Sequence, residues 1–367
     1  MRILIVKLSA IGDVIHTLPA LMRLRRHFPE AEIHWLVEEP SATLLLDHPG
    51  LDRVWVVPRR KRGSNGTESS WGASMRKWWR FAREFRREKY DCAFDFQGLA
   101  KSAIWVLLAR SRRKIGFGRG LPRSNEGAWL TLNERVAPPS ADMHALDRGL
   151  YLLSSVGIER GPLDYGLPRF ADDEAQATAL LAQSGVLAGT RFVAVNPVTR
   201  WRTKDWEAAR FAATCDRIVA AGLPVVFTGG AGDREAIDAI VALMKERSGR
   251  LEGRTSLRCL AEVYRRATLL LTTDTGPMHL AAALGTPVVA LFGPTAPWRT
   301  GPYGDGHVVL RQDLSCSPCF KRTCGTRRYE ERACMLRHDP HQVAEAVLRR
   351  IAAQAPLPAP RITDGGS

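Results

Sequence analysis

The residues able to do chemistry sit in short polar segments that directly follow apolar runs. The first run, Ile3 to Val6, leads to Gly12 and Asp13 at the start of a helical pattern. A carboxylate at that place caps the helix or, facing a cleft, takes a proton from a substrate hydroxyl. A second run, Phe192 to Asn196, opens into a loop with Thr199, Arg200, Arg202 and Lys204 set between Trp201 and Trp206. Cations just ahead of a helix are unfavourable unless an anion joins them, and Lys204 beside a helix N-terminus makes a good phosphate seat. A third run ends in Gly229-Gly230-Ala231-Gly232-Asp233-Arg234-Glu235. Its glycines allow close backbone approach, and Glu235 is placed to accept hydrogen bonds from a ribose or base; a plain turn with a helix cap reads equally well. A fourth run, Leu269 to Thr273, ends in Asp274-Thr275-Gly276-Pro277-Met278-His279. Asp274 suits sugar hydroxyls, the backbone N–H groups of Thr275 and Gly276 form an anion nest, and His279 is either a donor contact or a buried structural histidine. A fifth run ends at Gly293-Pro294-Thr295.

These loops must be held by a parallel sheet, because ligands of open α/β sheets bind beyond the carboxyl ends of the strands. The chain reads that way. Short strands at 33–37, 54–57 and 92–96 alternate with helical patterns, as at 72–89, and a second alternating set covers 192–292. The expected organisation is two α/β halves, 1–165 and 180–350, joined by a helical connector around 160–190. The Pro- and Gly-rich tail, 355–367, is expected to be disordered. Two basic segments interrupt the rhythm. One carries Arg59, Arg60, Lys61 and Arg62, then a Gly/Ser/Asn loop and a basic helix with Trp78 and Trp79; the other, read as a loop over 112–126, carries Arg119 and Arg123.

The chain has 367 residues, enough for two domains at about 100–200 residues each, and a formal net charge of +15. That charge favours an anionic partner. No window reaches the roughly 18–20 apolar residues of a membrane span, and the four-residue apolar run near the N-terminus is too short for a signal sequence; a cytoplasmic protein is expected. A nucleic-acid-binding reading fits the charge but not the rest: the aromatics form no stacking platform, and the cysteines lack a paired finger helix. A P-loop and a dinucleotide fingerprint are both missing, which sets aside a nucleotide kinase-like or nicotinamide-dependent enzyme. Cys316, Cys319, Cys324 and Cys334 are separated by two, four and nine residues. Four thiolates so spaced could hold a structural zinc or iron; reduced thiols in a basic loop is the other reading.

The segment Asp274 to Ala281, with Gly285-Thr286-Pro287 and Phe292-Gly293-Pro294-Thr295, resembles the signature of the ADP-heptose–lipopolysaccharide heptosyltransferases, glycosyltransferase family 9. Val6 to Ala20 and Asp95-Phe96-Gln97-Gly98-Leu99-Ala100-Lys101-Ser102 are similar to the heptosyltransferase I branch, whereas the cysteine segment is more like heptosyltransferase II. The resemblance implies a GT-B fold: two Rossmann-like, doubly wound parallel-sheet domains facing a central cleft, with the nucleotide sugar on the C-terminal one. It implies inverting, metal-independent transfer of heptose from ADP-heptose to a Kdo-lipid A acceptor, with no cofactor beyond that co-substrate. Asp13 would be the general base. Thr199, Arg200, Lys204, Glu235, Asp274, Thr275, Gly276 and His279 would hold the donor. Gln97, with the basic residues Arg59, Arg60, Lys61, Arg62, Arg119 and Arg123, would hold the anionic acceptor. The implied setting is a monomer on the anionic inner face of the inner membrane, with no nucleic acid partner. Another family 9 transferase, acting on a different glycan or protein, is the alternative.

Overall fold

The computed structural model describes residues 1–39, 41–58, 71–120, 126–159 and 161–354. The expectations placed on Arg59, Arg60, Lys61, Arg62, Arg123 and the 355–367 tail lie outside them. The first half runs β1 (Arg2–Val6), α1 (Ile11–His27), β2 (Glu32–Glu38), β3 (Arg53–Val57), α2 (Trp71–Phe85), β4 (Lys89–Asp95), α3 (Ala100–Leu108), β5 (Arg110–Phe117), β6 (Glu134–Val136) and α4 (Ala145–Ser154). The second runs α5 (Ala171–Gln183), β7 (Val193–Asn196), α6 (Ala208–Ala220), β8 (Val225–Phe227), α7 (Arg234–Val241), β9 (Gly249–Arg250), α8 (Leu257–Arg266), β10 (Leu269–Thr273), α9 (Gly276–Ala283), β11 (Val288–Phe292), α10 (Pro297–Thr300), β12 (Val308–Arg311), α11 (Ala333–Leu336) and α12 (Pro340–Ala352).

Each half holds a six-stranded parallel sheet. The orders are β3-β2-β1-β4-β5-β6 and β12-β11-β10-β7-β8-β9. Read from its other edge, the second order is the first repeated. The order reverses between β1 and β4 in one sheet and between β7 and β10 in the other, and such switch points are where open α/β sheets bind ligands. The central strands are apolar on both faces because helices cover both: Ile3, Leu4, Ile5 and Val6 are fully buried, as are Leu269, Leu270 and Leu271. Each sheet thus has a core on either side.

α1 departs from the amphipathic pattern of a surface helix. Every residue from Val14 to Leu21 is buried. Val14, Leu18 and Leu21 pack under the first sheet, while Ile15 belongs to the core of the second half. One helix therefore serves both halves, and its C-terminal-half neighbour is α9.

The expected loop over 112–126 is corrected: Arg110–Phe117 is a strand, paired with β4 on one side and β6 on the other. Its charge density hides the strand. Arg113 is neutralised across the sheet by both oxygens of Glu134, at 2.6 and 2.7 Å, while Ile115 goes into the core. The connector at 160–190 is helical only over α5. Among the described residues no helix is long and apolar enough to cross a membrane.

Candidate active site

A cleft of about 1480 Å³ opens between the carboxyl ends of the two sheets. Asp13, Gln97, Thr199, Arg200, Lys204, Asp274, Thr275, Gly276 and His279 all line it. They follow β1, β4, β7 and β10, the four strands that flank the two switch points.

On the N-terminal wall the chain after β1 is shaped by Gln97. Its Oε1 accepts the backbone N–H groups of Leu8 and Ser9 at 3.0 and 3.2 Å. Gln97 is placed in turn by buried Asp95, whose Oδ1 accepts from the Gln97 and Gly98 N–H groups and whose Oδ2 accepts from Ser102. Burial raises the Asp95 pKa against those hydrogen bonds. The turn delivers Asp13 into the first turn of α1. Asp13 Oδ2 caps the helix by accepting the Ala10 N–H at 3.1 Å, and Oδ1 lies 3.9 Å from Lys7 Nζ. Capping and cleft exposure, which the sequence offers as alternatives, coexist: the side chain remains 46% exposed.

On the C-terminal wall, Lys204 and Asp274 are partners. Lys204 Nζ donates to Asp274 Oδ2 at 2.7 Å, and Thr295 Oγ1 donates to the same oxygen at 2.6 Å. Both side chains are largely buried, Asp274 at 7% exposure. Lys204 also lies 4.6 Å from the Trp201 ring centroid. Thr199 folds the loop by accepting the Trp201 N–H and donating toward Asp205. Thr275 is the N-cap of α9 and makes no side-chain cap bond, and Pro277 starts the helix without needing a hydrogen bond.

The two walls meet where α1 crosses α9. A Cβ on Gly12 would stand 2.3 Å from the His279 ring, so only glycine allows the approach. His279 packs at 4.2 Å between ring centroids on His16, which lies 5.0 Å from His144. Burial lowers His279 to about 4 despite the Asp274 and Asp13 carboxylates, and lowers His16 well below its ordinary value. Both are neutral near pH 7, and both ring nitrogens of His16 lack a hydrogen-bond partner among the described residues. His279 is thus a buried histidine that also lines the cleft, which joins the two readings of it.

Other expectations fare differently. Glu235 is exposed and does not line the cleft; Asp233 does, and holds the glycine turn by accepting the Gly230 N–H at 2.7 Å. Arg119 is exposed and outside the lining, although its neighbours Phe117 and Gly118 belong to it. The four cysteines Cys316, Cys319, Cys324 and Cys334 line one small cavity together. Cys319 is exposed while Cys334 is half buried and pushed up to about 11 by burial and the three other sulfurs. No group of three or more His, Cys, Asp or Glu among the described residues is arranged to hold a metal. The segment braces the loop after β7: Lys321 O accepts from Thr203, Arg332 donates to the carbonyls of Arg202 and Asp205, and the Cys319 N–H donates to Pro294 O. Sequence reasoning also missed Lys7, Asp95, Arg148 and Arg299 as lining residues. The apolar runs ahead of Lys7 and Asp95 were visible signals; Arg148 and Arg299 had none.

The arrangement can accept a proton at one wall and neutralise a diphosphate at the other. The family model for glycosyltransferase family 9 (heptosyltransferase) matches residues 78–330. Lipopolysaccharide heptosyltransferase 1 of Pseudomonas aeruginosa is 33% identical, covering 94% of this chain and 96% of that one. Its Escherichia coli K12 counterpart is 30% identical over 85% and 93%. The structure of E. coli heptosyltransferase WaaC with ADP-2-deoxy-2-fluoro heptose superposes with a TM-score of 0.70 at 26% identity, covering 97% of this chain and all of the other. Two parallel sheets facing one cleft are the GT-B arrangement of such structures, and the chain belongs to glycosyltransferase family 9, the heptosyltransferases.

Proposed function

We propose that this enzyme transfers L-glycero-D-manno-heptose from ADP-heptose to the Kdo-lipid A inner core of lipopolysaccharide, inverting the anomeric carbon without a catalytic metal. The observation that carries the reading is the opening of the Asp13 carboxylate and the Lys204–Asp274 pair into one cleft. The acceptor hydroxyl gives its proton to Asp13 as its oxygen attacks the heptose C1 from the face opposite ADP. The bond from C1 to the phosphate oxygen breaks, and ADP leaves with that electron pair. Lys204 and the N–H groups at the start of α9 stabilise the charge that builds on the diphosphate, an electrostatic contribution that grows in a partly dry site. The buried carboxylate of this wall already engages Lys204 and Thr295 through Oδ2, which favours a cationic side chain over a divalent ion as the counter-charge. Asp274 Oδ1, without a protein partner among the described residues, is the natural acceptor for heptose hydroxyls. Thr199 and Arg200 complete the donor loop.

The net charge of +15 supports work at the anionic inner face of the inner membrane. One chain supplies both walls of the cleft, which supports a monomer as the working unit. The test is ADP release from ADP-L-glycero-β-D-manno-heptose in the presence and absence of Kdo₂-lipid A. Release that requires both substrates is expected. Donor binding without release would move the acceptor elsewhere, and no donor binding would end the reading.

A further inference from the structure

Three guanidiniums line this cleft without an ion-pair partner among the described residues: Arg200 on the loop after β7, and Arg148 and Arg299, which come from different halves. Arg148 lies on α4 and Arg299 on α10, and both line the cavity. Arg148 is clamped from behind: Nε donates to Met143 O at 3.0 Å and Nη2 to Ala141 O at 2.8 Å. Its Nη1 has no such use. Arg299 lies 4.8 Å from the Phe320 ring centroid, and its buried Nε has no hydrogen-bond acceptor.

The place is built rather than accidental. Three hydrogen bonds stitch the segment before and within α4 to the segment around α10. Trp298 Nε1 donates to Asp142 at 3.1 Å, His144 Nε2 donates to Gly301 O at 3.2 Å, and Tyr303 donates to Asp147 at 2.7 Å. The two carboxylates of this seam, Asp142 and Asp147, accept these bonds from neutral donors, and neither forms an ion pair with Arg148 or Arg299. Burial and the Arg299 charge pull the Arg148 guanidinium below its ordinary value, with Asp13 and Asp142 acting from beyond ion-pair distance. Two cations brought close together, neither in an ion pair with a carboxylate among the described residues, await an anion.

We propose that Arg148 and Arg299 form a two-armed seat, one arm from each half, for the carboxylate of a sugar-acid acceptor. The diphosphate has its own seat at Lys204 and α9. Arg148 shares the wall of Asp13, where an acceptor hydroxyl must approach a carboxylate that repels any carboxylate on the same sugar. Holding that group on two guanidiniums removes the conflict and orients the hydroxyl, since planar guanidinium forks match carboxylate geometry. The inference rests on the heptosyl-transfer reading for the identity of the acceptor.

The probes are the methyl α-glycoside of Kdo as its free carboxylate and the corresponding methyl ester. The proteins are wild type, Arg148→Met, Arg299→Met and Arg299→Lys. Binding is followed by titration calorimetry without donor, and turnover by ADP release. Wild type should bind the acid about tenfold or more tighter than the ester, and each methionine variant should lose about that factor for the acid alone. Arg299→Lys should recover part of it, and KM for ADP-heptose should stay within about twofold. Equal affinity of wild type for acid and ester would overturn the seat, as would equal losses for both probes in the variants. A raised KM for ADP-heptose with acceptor KM unchanged would overturn it too, by giving the pair to the donor. Acid-selective, arginine-dependent binding with no ADP release from wild type would keep the seat and remove the transfer reading instead.

Discussion

Asp13 uses one carboxylate for two purposes. Oδ2 caps α1 through the Ala10 N–H, and the rest of the group faces the cleft. Asparagine can still cap but cannot take a proton. Asp13→Asn should therefore lower kcat by about 10²–10⁴-fold while ADP affinity, read by calorimetry, holds; near-normal turnover would remove Asp13 as the base. Lys204→Ala makes the opposite kind of variant. On the proposed reading it strips the counter-charge from the diphosphate, and it leaves Asp274 buried without its ion partner. ADP affinity should fall, and stability in a denaturant melt should fall by about 3 kcal/mol. A loss of affinity with an unchanged melting midpoint would mean that Asp274 finds another partner.

At the scale of elements, the crossing of α1 and α9 sets the geometry of the cleft. Gly12→Ala places a methyl group 2.3 Å from the His279 ring, and one helix must shift. A loss of about 1–3 kcal/mol is expected, with kcat falling more than donor affinity, because the shift separates Asp13 from the donor wall. Intact activity in Gly12→Ala would show that the crossing does not register the site. Much of this was legible in the chain. The central strands are apolar on both faces and declare themselves, and Asp13, Lys204 and Asp274 follow strands at the switch points. β5 was hidden because Arg110, Arg112 and Arg113 look like loop residues until Glu134 is brought beside them. Lys204 and Asp274 were each legible, but not as partners, since seventy positions separate them. Arg148 and Arg299 follow no central strand and meet only when the halves pack. Glu235 follows the glycine turn in the chain, but the turn presents Asp233 to the cleft instead.

At the scale of the whole molecule, the seam between halves is lined with neutral histidines. His16 faces His279, His144 and Lys7; His279 faces Asp274, Asp13, His144 and Lys204; His144 faces Asp147, Arg148 and the Gly301 carbonyl. Burial lowers all three, so the unfolded chain binds protons that the folded one refuses. Stability is then complete above the ordinary histidine value of about 6.5 and falls as pH drops toward 4, by on the order of 1 kcal/mol per pH unit for each fully buried group. Chemical denaturation between pH 7 and 4 measures the slope. His16→Leu removes two unpartnered nitrogens and should flatten it; an unchanged slope would place the acid sensitivity in other buried histidines such as His48 and His338.

The sharing of α1 between two cores also bears on how such enzymes can be recombined. Ile15 contributes to the interior of the opposite half, and Gly12 is shaped to the ring of His279. A chimera that joins the N-terminal half of one family member to the C-terminal half of another inherits two surfaces that never grew together. Exchanging acceptor preference this way requires carrying α1 with the receiving half, so that the graft is cut through loops after the helix rather than between the sheets.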